Sequence, residues 1–252
     1  MHIHLPKPLH GWREFVGEVG IVFLGVLIAL GAEQMIESLH WSHKLDEVNA
    51  NLITEMRDDN GVVASGLLSR SLCADQVLSK IVSAMDERAD RQQIAAISRT
   101  YPLLPASFDN QAFSVAQSSE ALLHGSQDDL VKWGGVYGYL PILGQSFQRE
   151  WESVAVLQSW SGRPGRLTEA EEQRALEAIG TARAANNIAR KAAASLLTAL
   201  HERFGLTPPR QDQINLFRKY RQAYGSCAID AGKIDLSLLR SSEVNLINNR
   251  AR

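Results

Sequence analysis

The sequence is poor in the features that mark most catalytic and nucleic-acid-binding chains. There are two cysteines in 252 residues, Cys73 and Cys227, and two thiols so far apart match no zinc spacing and cannot close a metal cage. The net charge is −2 and the pI about 6.4, which leaves no basic footprint for nucleic acid. Eight prolines and little low-complexity sequence argue against extensive disorder. No G-x-S-x-G elbow occurs, and neither cysteine has a catalytic signature around it. Gly134-Gly135 and Gly138 do not precede a G-K-[ST] phrase, so a phosphate cradle is unsupported. Sustained period-two alternation is missing, and so is a solenoid repeat. The fold class is therefore read as all-α, and no cofactor is expected.

One long apolar run organises what is there. Val19 to Ala32 is uninterrupted, with Glu18 and Glu33 at its ends; about 14 residues is short for a bilayer span. The flanks extend it. Trp12 and Trp41 lie outside the glutamates as an interface belt, since tryptophan is enriched at membrane–water boundaries. On a helix they stand about 43 Å apart, close to a bilayer with its headgroups. Residues 15–36 are read as a transmembrane helix, 1–14 as a cytoplasmic segment, 37–247 as a helical extracytoplasmic domain and 248–252 as a polar tail.

Lys7 and Arg13 precede the span against Glu14, whereas Glu33, Glu37, Asp46 and Glu47 follow it with Lys44 as the nearby cation. That asymmetry puts the N-terminus inside. The expected location is the inner (cytoplasmic) membrane, single-pass, with the C-terminal domain in the periplasm of a Gram-negative cell. A cleaved signal peptide, cut at Ala29-Leu30-Gly31, is the rival. Glu14 and Glu18 stand where a basic n-region belongs, and the helical pattern runs past the site, so an uncleaved anchor is preferred. An oxidising compartment lets Cys73 and Cys227 pair as a disulfide; two buried free thiols fit the sequence equally well.

Beyond the span, Ile36, Leu39, Leu45, Val48, Leu52 and Met56 keep a helical period without Gly or Pro, so the anchor is expected to run on into the domain. Asn60-Gly61 reads as a turn. A second helix follows over Val63–Met85, a charged break at Asp86–Asp90, and a short helical piece over Gln92–Arg99. Tyr101 to Pro105 is an apolar loop, because its prolines cannot sit in a helix interior. Asp109 or Asn110 can cap a helix that continues to Leu123 and is closed by Gly125. The glycines of 128–139 either break a helix or let two helices approach. Leu143–Trp160 is amphipathic, and Ser161–Gly165 is a loop. Thr168 and Glu171 form a capping box for an Ala-rich helix that Gly205 ends after Phe204. Gln211–Tyr224 and Leu236–Ile247 are the last candidates.

Several residues invite a function. Glu18, Val22, Gly25, Ala29 and Ala32 fall on one helical face, and small residues in such a stripe let membrane helices pack closely, with an acid at its edge able to bond a partner. Glu18 alternatively sits solvated at headgroup depth near Arg13. His40 and His43 have the spacing of two metal ligands on one face, with Glu37 or Glu47 nearby, but no third ligand is secure. Glu169, Glu171 and Glu172 are ordinary first-turn acids. Arg218, Lys219 and Arg221 beside Tyr220 and Tyr224 read as a solvated helix face.

The anchor has the form G-E-x6-G-x-x-I-A-L, in Gly17-Glu18, Gly25 and Ile28-Ala29-Leu30. It resembles a family of uncharacterised bacterial single-span membrane proteins, a domain of unknown function, whose N-terminal helix ends in a similar phrase before a helical extracytoplasmic domain. Gln111-Ala112-Phe113, Ala116 to Leu122, Leu130 and Val136-Tyr137 extend the similarity, with Glu120 where the family places Gly. The resemblance covers about a quarter of the chain and implies topology and fold class, with no chemistry attached. The expected function is a membrane-anchored, non-enzymatic interaction or scaffold module. Its expected partners are the lipid bilayer and a membrane or periplasmic protein or a second copy, with no nucleic acid. A small-molecule sensing or binding module is the alternative, and a metal enzyme built on the histidine pair a third.

Overall fold

The computed structural model describes residues 11–103, 108–119 and 121–234. The helical candidate at 236–247, the tail at 248–252, the first ten residues, the end of the 101–105 loop and Glu120 lie outside the described residues. Helix α1 covers Trp12–Thr54 and passes through a π-helical stretch, Glu55–Asn60, into α2, Gly61–Asp86. Shorter elements follow: α3 (Arg91–Ser98), α4 (Gln111–Ser118), a 3-10 turn at Ala121–His124 and α5 (Gln127–Tyr137). Then come α6 (Tyr139–Gln158), α7 (Glu169–Phe204) and α8 (Arg210–Tyr224), with two further 3-10 turns at Gly225–Cys227 and Ala231–Lys233. Among the described residues there is no strand, only an isolated bridge between Asp90 and Arg166.

From Trp12 to Asp86 the chain is one unbroken helical rod, on the order of 110 Å long at 1.5 Å per residue. The expected continuation of the anchor into the domain is therefore seen, and it goes further than the sequence indicated. The expected turn at Asn60-Gly61 is not made. Asn60 spends its side chain elsewhere: Nδ2 donates to the Asp109 carbonyl at 2.7 Å, and the Asp109 amide donates to Oδ1 at 3.1 Å. Gly61 stays right-handed, and a Cβ there would stand 2.9 Å from both the Met56 carbonyl oxygen and Pro208 Cγ. The glycine serves close packing. The π stretch inserts extra backbone that turns Glu55, Met56 and Asn60 inward together.

The domain is built on α2, α6 and α7. Asn186 of α7 reaches Ser71 and Asp75 of α2, Arg183 reaches Ser79, and Leu200 lies by Gly61, so α7 runs antiparallel to α2. Ala175, Ala178, Ala182, Ala185, Ala189 and Ala192 are all buried, at alternating steps of three and four. That spacing keeps a single narrow seam facing the neighbouring helices, and side chains this small let backbones approach closely. Thr168 and Glu171 make the capping box, and Gly205 stops α7 with φ of 67°.

Two apolar cores result. One, nearer the anchor, holds Leu52, Leu68, Trp133, Leu143, Leu196 and Leu200. The other, at the far end, holds Val77, Ile81, Ile94, Leu157, Trp160 and Ile179. Tyr101 docks on the second, as expected for an apolar loop. Truncating any of the fully buried leucines costs about 2–5 kcal/mol.

Other boundaries differ from the sequence reading. The helix expected to reach Leu123 ends at Ser118 and gives way to the 3-10 turn. Of the two residues offered as caps, Asn110 makes no side-chain bond, whereas Asp109 Oδ1 takes the Gln111 amide at 3.0 Å. Gly134 and Gly135 stay inside α5, and α6 starts at Tyr139 because Pro141 falls in its first turn, where no amide hydrogen is required. The charged break is made by Arg88 at φ 57°, after which Asp90 and Gln93 form a capping box for α3.

Candidate functional site

From Phe15 to Glu33 the side chains of α1 are exposed. The apolar window of this helix is 0% buried, with Ile21 at 74% and Val22 at 67% exposure. Among the described residues, one helix is thus long and apolar enough to cross a membrane. Glu18, Val22, Gly25, Ala29 and Ala32 all lie on this bare segment, and none of the other described residues covers them. Trp12 is exposed at 78%.

Where the bare segment ends, a groove begins. It has a volume of about 620 Å³ and is formed by one face of α1 together with the 3-10 turn and the start of α5. The α1 wall starts at Gln34 and ends at Asn49, a run of about 22 Å along the axis. Glu37, Asp46 and Asp129 contribute carboxylates, and among the described residues no Lys or Arg lines it. Trp41 is half-buried in the wall, stacked on His124 with ring centroids 3.6 Å apart and planes 12° from parallel. The side chain expected in the interface belt is thus the joint between the bare segment of α1 and the domain. His40 meets Trp41 edge-on at 5.7 Å; His43 is exposed. Among the described residues no three His, Cys, Asp or Glu groups gather to hold a metal ion.

Beyond the groove, α1, α4 and α5 are joined by polar ties that sequence reading missed. Glu55, buried on the π stretch, accepts from the Tyr137 hydroxyl at 2.7 Å and from the Ala112 amide at 2.8 Å. It thereby caps α4 from another helix, as a carboxylate at a helix N-terminus does. Burial, followed by the bond to Glu55, pushes the Tyr137 hydroxyl pKa well up. Trp133 donates its indole N–H to Asn49 at 3.3 Å and stacks on Phe204 at 4.0 Å, tying α5 to both α1 and α7. The expected glycine tolerance of this region has a use: the Arg203 guanidinium lies over Gly135 and donates to the Lys132 carbonyl.

Deeper in the domain lies a charged pair. Arg70 and Glu150 have no solvent exposure and meet as a fork, Nη1 to Oε1 at 3.0 Å and Nη2 to Oε2 at 2.6 Å. Tyr101 donates its hydroxyl to the same carboxylate. Burial opposes the guanidinium charge, yet the attraction and hydrogen bonds of Glu150 hold its pKa above the ordinary value. Burial raises Asp75 in spite of its hydrogen bond from Asn186. Cys73 on α2 is joined to Cys227 as a disulfide, with Cα atoms 5.0 Å apart. It pins the segment after α8 to the rod beside Tyr220. Tyr220 is buried, so of the basic stretch only Arg218, Lys219 and Arg221 face solvent.

The Glu55, Asn60, Arg70 and Glu150 ties gave little sequence signal, since each joins residues 49 to 82 positions apart. A polar residue at an apolar-periodic position was the only available cue. Comparison with protein-family models, with curated proteins and with solved structures finds no match to this chain.

Proposed function

We propose that the protein is a single-span, membrane-anchored, non-enzymatic module, with its N-terminus in the cytoplasm and its helical domain in the periplasm, that binds a partner close to the membrane surface. The observation that carries this is the bare apolar segment of α1, continuous with a well-packed domain. A water-soluble monomer rarely leaves apolar patches larger than a few hundred Å² uncovered. The Cys73–Cys227 disulfide supports an oxidising compartment, and the Lys/Arg asymmetry supports the orientation. The anchor phrase at Gly17-Glu18, Gly25 and Ile28-Ala29-Leu30 supports membership of the uncharacterised single-span family it resembles. Partner binding is supported by the groove at the foot of the domain, whose size lies in the range of small-molecule sites.

The test is extraction. Wild-type chain is expected to stay in the membrane pellet after alkaline carbonate washing. Leu24→Arg/Leu27→Arg, which costs about 6 kcal/mol of insertion free energy at mid-span on translocon scales, should release it. A wild-type chain that is released, or a double variant that stays, defeats the anchor.

A further inference from the structure

After α3 the chain visits the rod on the way down toward the bare segment and again on the way back. Going down, Asp109 meets Asn60, the Ala112 amide meets Glu55, and the 3-10 turn lays His124 on Trp41. Going back, Gly125 lies against Leu45, Trp133 meets Asn49 and Tyr137 meets Glu55 again. Helices α4 and α5 are thus the arms of a hairpin laid along α1. From Glu55 to Trp41 it descends about 21 Å, and its tip is the turn Ala121–His124. We propose that this tip is a second membrane contact, in which Leu123 enters the headgroup–acyl boundary of the bilayer that α1 crosses; the contact rests on the anchor reading above.

Height and chemistry both fit lipid. With residues 15–36 as the span, Trp41 stands about 8 Å beyond it along the axis, roughly the depth of one headgroup layer. The ring stack with His124 holds the tip at that level. Leu122 is buried in the core nearer the anchor, whereas its neighbour Leu123 is 72% exposed. The turn therefore packs one leucine into the domain and leaves the next bare. From Ala121 to Gln127 no side chain carries a fixed charge. The acids Asp128 and Asp129 come on the returning arm, where Lys132 pairs with them. Interfacial elements seat apolar side chains about 5–10 Å into the headgroup–acyl boundary, and a modest tilt of α1 toward the hairpin brings Leu123 to that depth. Span and tip then make two points of attachment, which fix the side of the domain that faces the bilayer.

Spin labelling of the full-length protein in nanodiscs of phosphatidylethanolamine and phosphatidylglycerol tests this. Cys73 and Cys227 are paired, so Leu27→Cys, Leu123→Cys and Leu176→Cys each offer one free thiol for a nitroxide. Leu176 is an exposed control on α7, beside Ala175 of the distal core. Oxygen concentrates in lipid and a nickel chelate in water, so the ratio of their collision rates with the label reads depth. The ratio at 123 is expected to be roughly threefold or more above that at 176, as for a side chain seated in the boundary, with 27 higher still. A label at Gln127→Cys, an exposed position that leaves the tip leucine in place, should also read above 176. Adding Leu123→Asp should bring it down toward 176, and circular dichroism checks that each variant is folded. A ratio at 123 equal to that at 176, or a label at 127 unmoved by folded Leu123→Asp, would overturn the proposal. So would a label at 123 shielded from both probes, since a second copy of the chain would then cover the tip. Position 27 separates the two readings. With 27 in lipid and 123 in water only the tip contact fails; with 27 in water and 123 in lipid only the anchor fails.

Discussion

The buried Arg70–Glu150 pair makes a sharp energetic prediction. Both side chains are fully buried, at the boundary between the two apolar cores on α2 and α6. Removing two ions from water costs several kcal/mol each, and their attraction repays this only with good geometry and full hydrogen bonding. The geometry is good: a two-bond fork plus the Tyr101 hydroxyl. The bonding is incomplete, because Arg70 Nε has no hydrogen-bond partner among the described residues. Glu150→Gln keeps the shape but strands a guanidinium, and should cost about 3–5 kcal/mol. Against the roughly 5–15 kcal/mol stability of an ordinary domain, that is about a fifth at the least. Arg70→Met strands the carboxylate with one donor, and its cost should fall in the same range. The double variant Arg70→Met/Glu150→Leu strands no charge and leaves only the Tyr101 hydroxyl without its acceptor, which costs about 1–3 kcal/mol, so it should lie near wild type. The coupling from the double-mutant cycle is then several kcal/mol, well beyond the 0.2–1 kcal/mol typical of exposed pairs. Urea unfolding followed by circular dichroism, in one detergent throughout, measures all four proteins. Additive losses in the double variant, or single losses under about 1 kcal/mol, would refute the claim that the pair is dry and mutually dependent.

Two further outcomes follow from the ties that close the domain. The disulfide joins residues 154 apart, and loop-closure entropy for so long a loop sets a ceiling on the order of 5 kcal/mol. Cys73→Ser/Cys227→Ser should therefore lower the urea midpoint clearly, and a loss below about 1 kcal/mol would show that the cross-link does not restrain the unfolded chain. At the far end, Arg91 and the Thr168 backbone amide hold Glu171 well below its usual 4.5, at about 2. A depressed carboxylate contributes stability that is present above its unfolded value and lost as pH falls through its folded one. The Glu171 carboxyl should thus titrate near 2 by NMR. Arg91→Ala should move it back toward the ordinary carboxylate range, and an unchanged midpoint would remove Arg91 as the main cause.

Local sequence determined a good deal of this protein. The apolar run, the Thr168–Glu171 capping box, the Gly205 stop and the absence of alternation are short-range signals, and each is seen as all-α structure with one bare apolar helix. Such features are set by residues within about one turn of each other, so a linear reading reaches them. What tertiary structure alone decided was where the polar groups go. Asn60-Gly61 looks like a turn because both residues favour one locally; the helix runs through because Asp109, 49 positions away, takes the Asn60 side chain and Pro208 needs the space beside Gly61. Asn110 was a plausible cap until Glu55 and Asp109 satisfied α4 instead. Either state of the cysteines suited the sequence, and only the docking of the segment after α8 onto α2 brought their Cα atoms to 5.0 Å. The groove depends on the same rule. Ser38, Trp41, Leu45 and Asn49 are spaced for one helical face, but what stands opposite them, His124 and Asp129, is fixed by how the 3-10 turn and α5 fold back against the rod.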